Sequence, residues 1–424
     1  MKEAMVVKIY GQGNLIRSYI TLVLFMFMVL YFCITVKSNV VFEMFGNEEE
    51  ANARNPFKEK IVHFDLKGAP PTLTYYEKIF PLLKQMKVNA ILMEYEDMFP
   101  YWNELNILRR TISYNSTLLK AILKLASNNN LEVIPLLQTF GHMEFVLKHS
   151  KYSMYREDLL RHDTICPSDK GAWNLITEML EQKRAFLQMR IMHPDARRIH
   201  IGADEAYSVG KDERCLRRLA VNLNSSVDRL KLEHITRISN YARNTLGFTE
   251  VLVWNDMFGD INADLLNEYK MGELVIPVIW GYAVDVTKLD YFPRDMFKRY
   301  SQVFPKMMFA SAFKGANGQN ESFCYIKRYL ANQQSYVDLY RKETEDILNC
   351  QTTEQNLDIA TINSEKSDKV IVPLEMMFTN CSFPGSEIYD AMANLHQNVA
   401  WKKQLSVDAE EMRKNVRLEV TDEF

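Results

Sequence analysis

The run His200-Ile201-Gly202-Ala203-Asp204-Glu205 sets two carboxylates side by side behind a short apolar stretch. Small residues before the acids let the backbone turn tightly as it leaves a strand. Neighbouring side chains leaving a strand diverge, so Asp204 and Glu205 can address different atoms of one substrate. An Asp-Glu pair also suits a helix N-terminus, where the macrodipole favours negative charge, but the strand-like run ahead of it favours chemistry. Acids and aromatics stand at the ends of other apolar runs too: Asp65, Glu94-Tyr95-Glu96-Asp97, Gln138 with Gly141-His142 and Glu144, Trp254 with Asp256, and Trp280 with Tyr282. Carboxylates beside aromatic plates suit a carbohydrate, whose hydroxyls donate to the acids and whose C–H face stacks on an indole. Cleaving a glycosidic bond needs a protonated acid at the leaving oxygen and stabilisation of an oxocarbenium-like centre. His142 is expected near the acid pair, as support for it or as a sugar contact. His63 and His200 lie within strands and are expected in the core.

Eight apolar, β-rich runs must hold these residues: 60–67, 89–96, 131–140, 198–202, 250–256, 274–282, 306–313 and 356–362. Stretches of helical spacing separate them, as at 73–86 and 173–192. Near-continuous apolar strands alternating with helices are the mark of parallel strands buried on both faces. Eight such units predict an α/β protein, a single (β/α)8 TIM barrel, in which functional residues gather at the C-terminal strand ends. No Gly-rich phosphate fingerprint follows the first strand.

Composition narrows the partners. The chain has 424 residues, 51 Lys+Arg against 54 Asp+Glu, and a net charge of −3. Without a basic excess or basic run, nucleic acid is not an expected partner. No C-x-x-C pair exists, no His/Asp/Glu constellation has metal-ligand spacing, and the 22 methionines read as core filler. Neither a metal nor a cofactor is expected.

Residues 18–36 carry no charge and would span about 28 Å as a helix, close to one hydrocarbon core. Lys2, Lys8 and Arg17 precede them with only Glu3 opposing, which orients the N-terminus to the cytosol. The reading is therefore a cytosolic tail (1–17), a transmembrane signal anchor (18–36), a stalk (37–57), a barrel (58–400) and a polar tail (401–424), with a cleaved signal peptide as the alternative. Residues beyond the anchor would lie in the secretory lumen or outside the cell, and Asn115, Asn224, Asn320 and Asn380 are candidate glycan acceptors there. Oligomeric state is not legible.

His200 to Glu205 resembles the H-x-G-x-D-E signature of glycoside hydrolase family 20, the β-N-acetylhexosaminidases. The wider likeness is to their hexosaminidase D branch. It runs through His63-Phe64-Asp65-Leu66-Lys67-Gly68-Ala69-Pro70-Pro71, residues 94–101 and 134–148, Trp254-Asn255-Asp256-Met257, Trp280-Gly281-Tyr282 and 310–316. It covers roughly residues 60 to 320 and implies the same barrel. The resemblance also implies an unusual mechanism, in which the sugar's own 2-acetamido oxygen attacks the anomeric carbon. On that reading Glu205 is the general acid, holding its proton with the help of burial or a neighbouring carboxylate, and Asp204 orients the acetamido N–H. Trp254 and Trp280 would stack on sugar, Tyr282 would donate to the acetamido carbonyl, and Asp65, Glu96, Asp97, Asp256 and His142 would complete an N-acetylhexosamine site.

The likeness fails near the last strand. Relatives carry G-W-x-R-Y-D-H where this chain has residues 363–369, so Ser364 and Ser367 replace the tryptophan and tyrosine. Two alternatives therefore stay open: a membrane-tethered glycan-binding pseudoenzyme, and a conventional two-carboxylate glycosidase using Glu205 with Asp256.

Overall fold

The computed structural model describes residues 57–379, apart from 58, 69, 181–188, 222–225, 313–325 and 356–373; for 345–355 and 374–379 it describes the backbone alone. Eight parallel strands close into a barrel in sequence order. They are β1 (Lys60–Asp65), β2 (Ala90–Glu94), β3 (Glu132–Leu136), β4 (Arg198–His200), β5 (Glu250–Trp254), β6 (Ile276–Trp280), β7 (Met307–Ala312) and β8 (Leu374–Thr379). Closure is made where β8 pairs β1, Lys60 opposite Met376, and β7, Met307 opposite Leu374.

Every residue of β2 and β7 is buried, as strands covered on both faces require. Alternate residues fill the interior: Ile61, Ala90, Leu92, Ile134, Leu136, Leu252, Trp254, Val278, Met308 and Ala310 form one cluster. Carrying that alternation to the strand ends turns Glu94 and Trp280 inward as the last side chains of β2 and β6. Helices cover the outside, and polar caps start several of them: Thr72 Oγ1 accepts from Tyr75 N, Asn115 Oδ1 from Leu118 N, and Ser226 Oγ from Arg229 N.

Several boundaries differ from expectation. The eighth strand is Leu374–Thr379, while 356–362 falls outside the described residues; both runs are apolar, and periodicity alone does not choose between them. Strands β2 and β3 end short of the expected 96 and 140, because the residues beyond them leave the sheet to build loops. Phe57, expected at the end of a stalk, is buried against Phe309 and Tyr340, where its ring loses contact with water. The barrel lies within the compact unit Phe57–Pro384. The expected anchor 18–36, the tail 401–424 and residues 363–369 lie outside the described residues. No described helix is long and apolar enough to cross a membrane.

Candidate active site

The loops after β3 and β4 are laced into one unit. Leu137 N donates to His200 O at 3.0 Å, and Thr139 Oγ1 donates to Ile201 O at 2.7 Å. A Cβ on Gly141 would lie 1.7 Å from the Asp204 carbonyl oxygen, so only glycine permits this approach. Gly202 has a φ of +62° and packs on the Gln138 amide. Beyond it Ala203 (φ +69°) and Glu205 (φ +50°) are left-handed as well, as is His142 (φ +50°) on the facing loop. Left-handed non-glycine residues cost of order 1–3 kcal/mol each and collect where function requires an imposed geometry.

That geometry brings His142 between the two acids. Its Nε2 lies 3.3 Å from Asp204 Oδ2 and 3.2 Å from Glu205 Oε2. Hydrogen bonds to Asp204 and then Glu205 push the imidazole's pKa up to about 11, against the opposing effect of burial. The same contact holds Glu205 below the usual carboxylate range. From sequence, burial or a neighbouring carboxylate is expected to help Glu205 keep a proton, whereas here the imidazole facing it acts in the opposite direction. Asp204 Oδ1 is buried with no hydrogen-bond partner, an acceptor aimed at nothing in the protein. Tyr207, which sequence reasoning missed, donates from its hydroxyl to Glu205 Oε1 at 3.3 Å. An aromatic two residues past the acid was the only signal for it.

Asp256 sits beneath the acid. Its Oδ2 accepts from Glu205 N at 2.8 Å and its Oδ1 from Trp280 Nε1 at 3.2 Å. Burial, reinforced by the charge of Asp204, pushes its pKa up to about 6. A second chain steadies the same turn: His63 Nε2 and Gln138 Nε2 both bond the Glu94 carboxylate (3.0 and 2.8 Å), and Gln138 Oε1 accepts from Ala203 N.

The aromatics divide. Trp280 is partly exposed, and Tyr282, 47% exposed, lies 5.2 Å from it, ring to ring. Desolvation, with Asp204 and Glu205 next, raises the Tyr282 hydroxyl's pKa, so it remains a donor. Trp254 is only 5% exposed and packs 4.4 Å from His200, which makes it the floor of the strand ends and not an open stacking plate.

Three expected sugar contacts are engaged by the protein. Asp65 Oδ1 accepts from Lys67 N at 3.0 Å. Glu96 and Asp97 enter a 3-10 turn after β2 that buries both, Glu96 pairing with Lys67 at 3.1 Å and Asp97 with Lys148 at 3.0 Å. The turn draws these side chains in, leaving Glu96 Oε2 and Asp97 Oδ1 as buried acceptors with no hydrogen-bond partner. Burial and then Glu94 push Glu96 up to about 8, above its ordinary 4.5. A raised carboxyl holds its proton more tightly folded than unfolded, so between pH 4.5 and 8 its contribution to stability falls as pH rises. Glu96→Gln should therefore gain in Tm on the parent chain as pH is raised from about 5 to about 8. A difference in Tm independent of pH in thermal melts would contradict this.

Eight parallel strands close a (β/α)8 barrel with an adjacent acid pair at its C-terminal mouth, and the chain's hexosaminidase relatives make it a glycoside hydrolase. More narrowly, the chain belongs to the hexosaminidase D family: it is 40% identical to hexosaminidase D of Bos taurus over 282 residues, 66% of this chain and 79% of that protein. It is 38% identical to hexosaminidase D of Homo sapiens over 286 residues, 67% of this chain, and there spans 57% of the relative's length. No protein-family model matches the chain. Similar solved structures include the family 20 β-N-acetylhexosaminidase of Streptomyces coelicolor A3(2), with TM-score 0.47 and 13% identity over 77% of this chain and 60% of that one. Another is the exo-β-N-acetylglucosaminidase of Vibrio harveyi in complex with N-acetylglucosamine, with TM-score 0.47 and 15% identity over 78% and 50%.

Proposed function

We propose that the protein is a retaining exo-β-N-acetylhexosaminidase, removing terminal N-acetylglucosamine or N-acetylgalactosamine from glycans with the substrate's acetamido group as nucleophile. One observation carries the reading: Asp204 and Glu205 share the His142 imidazole, while Asp204 Oδ1 is left as an unpartnered buried acceptor. In the reaction that oxygen accepts the acetamido N–H and turns the acetamido oxygen onto the anomeric carbon. Glu205, supplied with a proton through His142, protonates the leaving oxygen as the glycosidic bond breaks. The oxazolinium that forms carries its positive charge beside the Asp204 carboxylate. Glu205, now a base, removes a proton from water attacking the anomeric carbon, and the acetamido group is released with overall retention.

Trp280 and Tyr282 offer the sugar an aromatic wall, and the Tyr282 hydroxyl donates to the acetamido carbonyl. Asp256 acts as a positioning residue. Both of its oxygens already accept hydrogen bonds from Glu205 N and Trp280 Nε1, which argues against its use as nucleophile in a two-carboxylate scheme. Hydrolysis of the two epimeric 4-nitrophenyl N-acetyl-β-hexosaminides by the full chain tests the activity. Inhibition by the thiazoline analogue of the cyclised intermediate tests the mechanism, since transition-state likeness gives tight binding. Binding of N-acetylhexosamine glycans with no turnover of either epimer would favour the glycan-binding pseudoenzyme.

The proposal extends to topology: anchored through residues 18–36, the barrel faces the secretory lumen. Asn115 supports it as an exposed acceptor whose side-chain oxygen, not its nitrogen, makes the helix cap. The full chain from secretory cells should lose mass on peptide N-glycosidase treatment, and Thr117→Ala, which spares the cap, should reduce that loss. An unchanged mobility for both would reject a lumenal barrel.

A further inference from the structure

Away from the mouth, the two loops that carry the site meet again around a pair of thiols. Cys166 lies just past the bridge that pairs Arg156 with Ile165, on the segment leading out of the His142 loop. Cys215 lies on the helix Glu213–Val221, the first after the Asp204-Glu205 loop. Both are free and buried, with their Sγ atoms 3.7 Å apart. Around them Leu219 and Leu230 close an apolar pocket.

The polar atoms at this point are over-committed. Cys215 Sγ stands 3.0 Å from Ser168 Oγ, 3.3 Å from Glu157 Oε2 and 3.7 Å from Cys166 Sγ, yet one thiol carries one proton. Glu157 joins the same two loops a second time, its Oε1 accepting from Gly210 N, Lys211 N and Asp212 N. Segment and helix are therefore already held together, and the sulfurs need only side-chain rotation and a small approach to reach bonding distance. The segment linking them contains Asp204 and Glu205.

We infer that Cys166 and Cys215 form a disulfide that ties the His142 loop to the Asp204-Glu205 loop. The oxidant is a dithiol-exchanging disulfide of the oxidised-glutathione class. One thiolate attacks a sulfur of the incoming disulfide, releasing one thiol and leaving a mixed disulfide. The second thiolate then displaces the other half as a second thiol. The protein loses two protons and two electrons, and the incoming disulfide is reduced to two thiols. Because both sulfurs are buried in the folded chain, closure belongs to folding in an oxidising compartment, before the pocket seals.

The test uses the full chain refolded in glutathione buffers of increasing oxidised fraction, digested without reduction and weighed by mass spectrometry. A linked pair of peptides containing Cys166 and Cys215, two hydrogens lighter than their sum, should appear and saturate. The oxidised chain should melt about 5 °C above the reduced chain, as expected for a cross-link closing a loop of this length. Cys166→Ser should abolish both the linked pair and the shift, and the comparison of oxidised with reduced parent chain needs no variant to fold. Two alkylatable thiols at every buffer ratio would overturn the inference. So would a stoichiometric divalent ion retained by the parent chain and lost in Cys166→Ser, since the two sulfurs with a Glu157 carboxylate oxygen are close enough to share an ion.

Discussion

Glu205→Gln is expected to lower kcat on a 4-nitrophenyl N-acetyl-β-hexosaminide by about 10³-fold, within the range that a positioned general acid supplies, with little change in KM. The amide keeps the size of the side chain and can still meet Tyr207, but it cannot deliver a proton. The effect should depend on the leaving group. A 2,4-dinitrophenolate departs without protonation, so the first step on that substrate should be nearly restored. Equal losses of kcat/KM, which reports the first step alone, on both substrates would mean that Glu205 shapes the pocket and does not act as an acid.

The same prediction has a pH signature. An isolated carboxyl held below the usual range would be empty of protons at neutral pH and useless as an acid. On the proposed mechanism the proton is held by His142, whose imidazole is pushed up to about 11 by Asp204 and Glu205 and stands 3.2 Å from Glu205 Oε2. A group with a raised pKa loses its proton only as pH climbs through that raised value. Activity of the parent chain should therefore persist well above neutrality. In His142→Gln the alkaline limb should move down toward the pH at which Glu205 itself ionises. An unmoved limb would assign the stored proton elsewhere.

Much of this is legible in the sequence, for identifiable reasons. Strands buried on both faces leave near-continuous apolar runs, so seven of the eight fall where expected, if a few residues long. Asp204 and Glu205 are legible because two small residues at a strand end force a sharp turn, and the side chains just beyond such a turn open onto the barrel mouth. Glu205's ionisation is not, because it depends on His142, 63 residues away along the chain and brought close by the Gly141 approach to Asp204. Nor is the chain from His63 through Glu94 and Gln138 to Ala203, whose members read individually as core or strand-end residues. Glu96 and Asp97 escape a sequence reading for a related reason. A sequence shows acids at a strand end but not the 3-10 turn that folds them in against Lys67 and Lys148. The sixth and fifth strand ends show the same limit with aromatics: Trp280 and Trp254 look alike in sequence, yet one faces the mouth and the other lies under it.

Asp204→Asn should cost about 10²- to 10³-fold in kcat, comparable to removing one preorganised electrostatic contact at a reacting centre, and its character should be the opposite of Glu205→Gln. The asparagine removes the negative charge that would balance the oxazolinium. It also removes the principal group raising His142, so the stored proton is held less tightly. Ring closure by the acetamido oxygen is then the impaired event, and it precedes or accompanies departure of every leaving group. A 2,4-dinitrophenyl substrate should therefore rescue Asp204→Asn poorly where it rescues Glu205→Gln well. Affinity for the thiazoline should fall with kcat, since that ligand reports the cyclised state. The two variants thus separate the two carboxylates by role with one pair of substrates and one inhibitor. If Asp204→Asn were rescued by the better leaving group and still bound the thiazoline as the parent does, Asp204 would be supporting the acid through His142. The sugar's own amide would then not be the nucleophile that this site is arranged to guide.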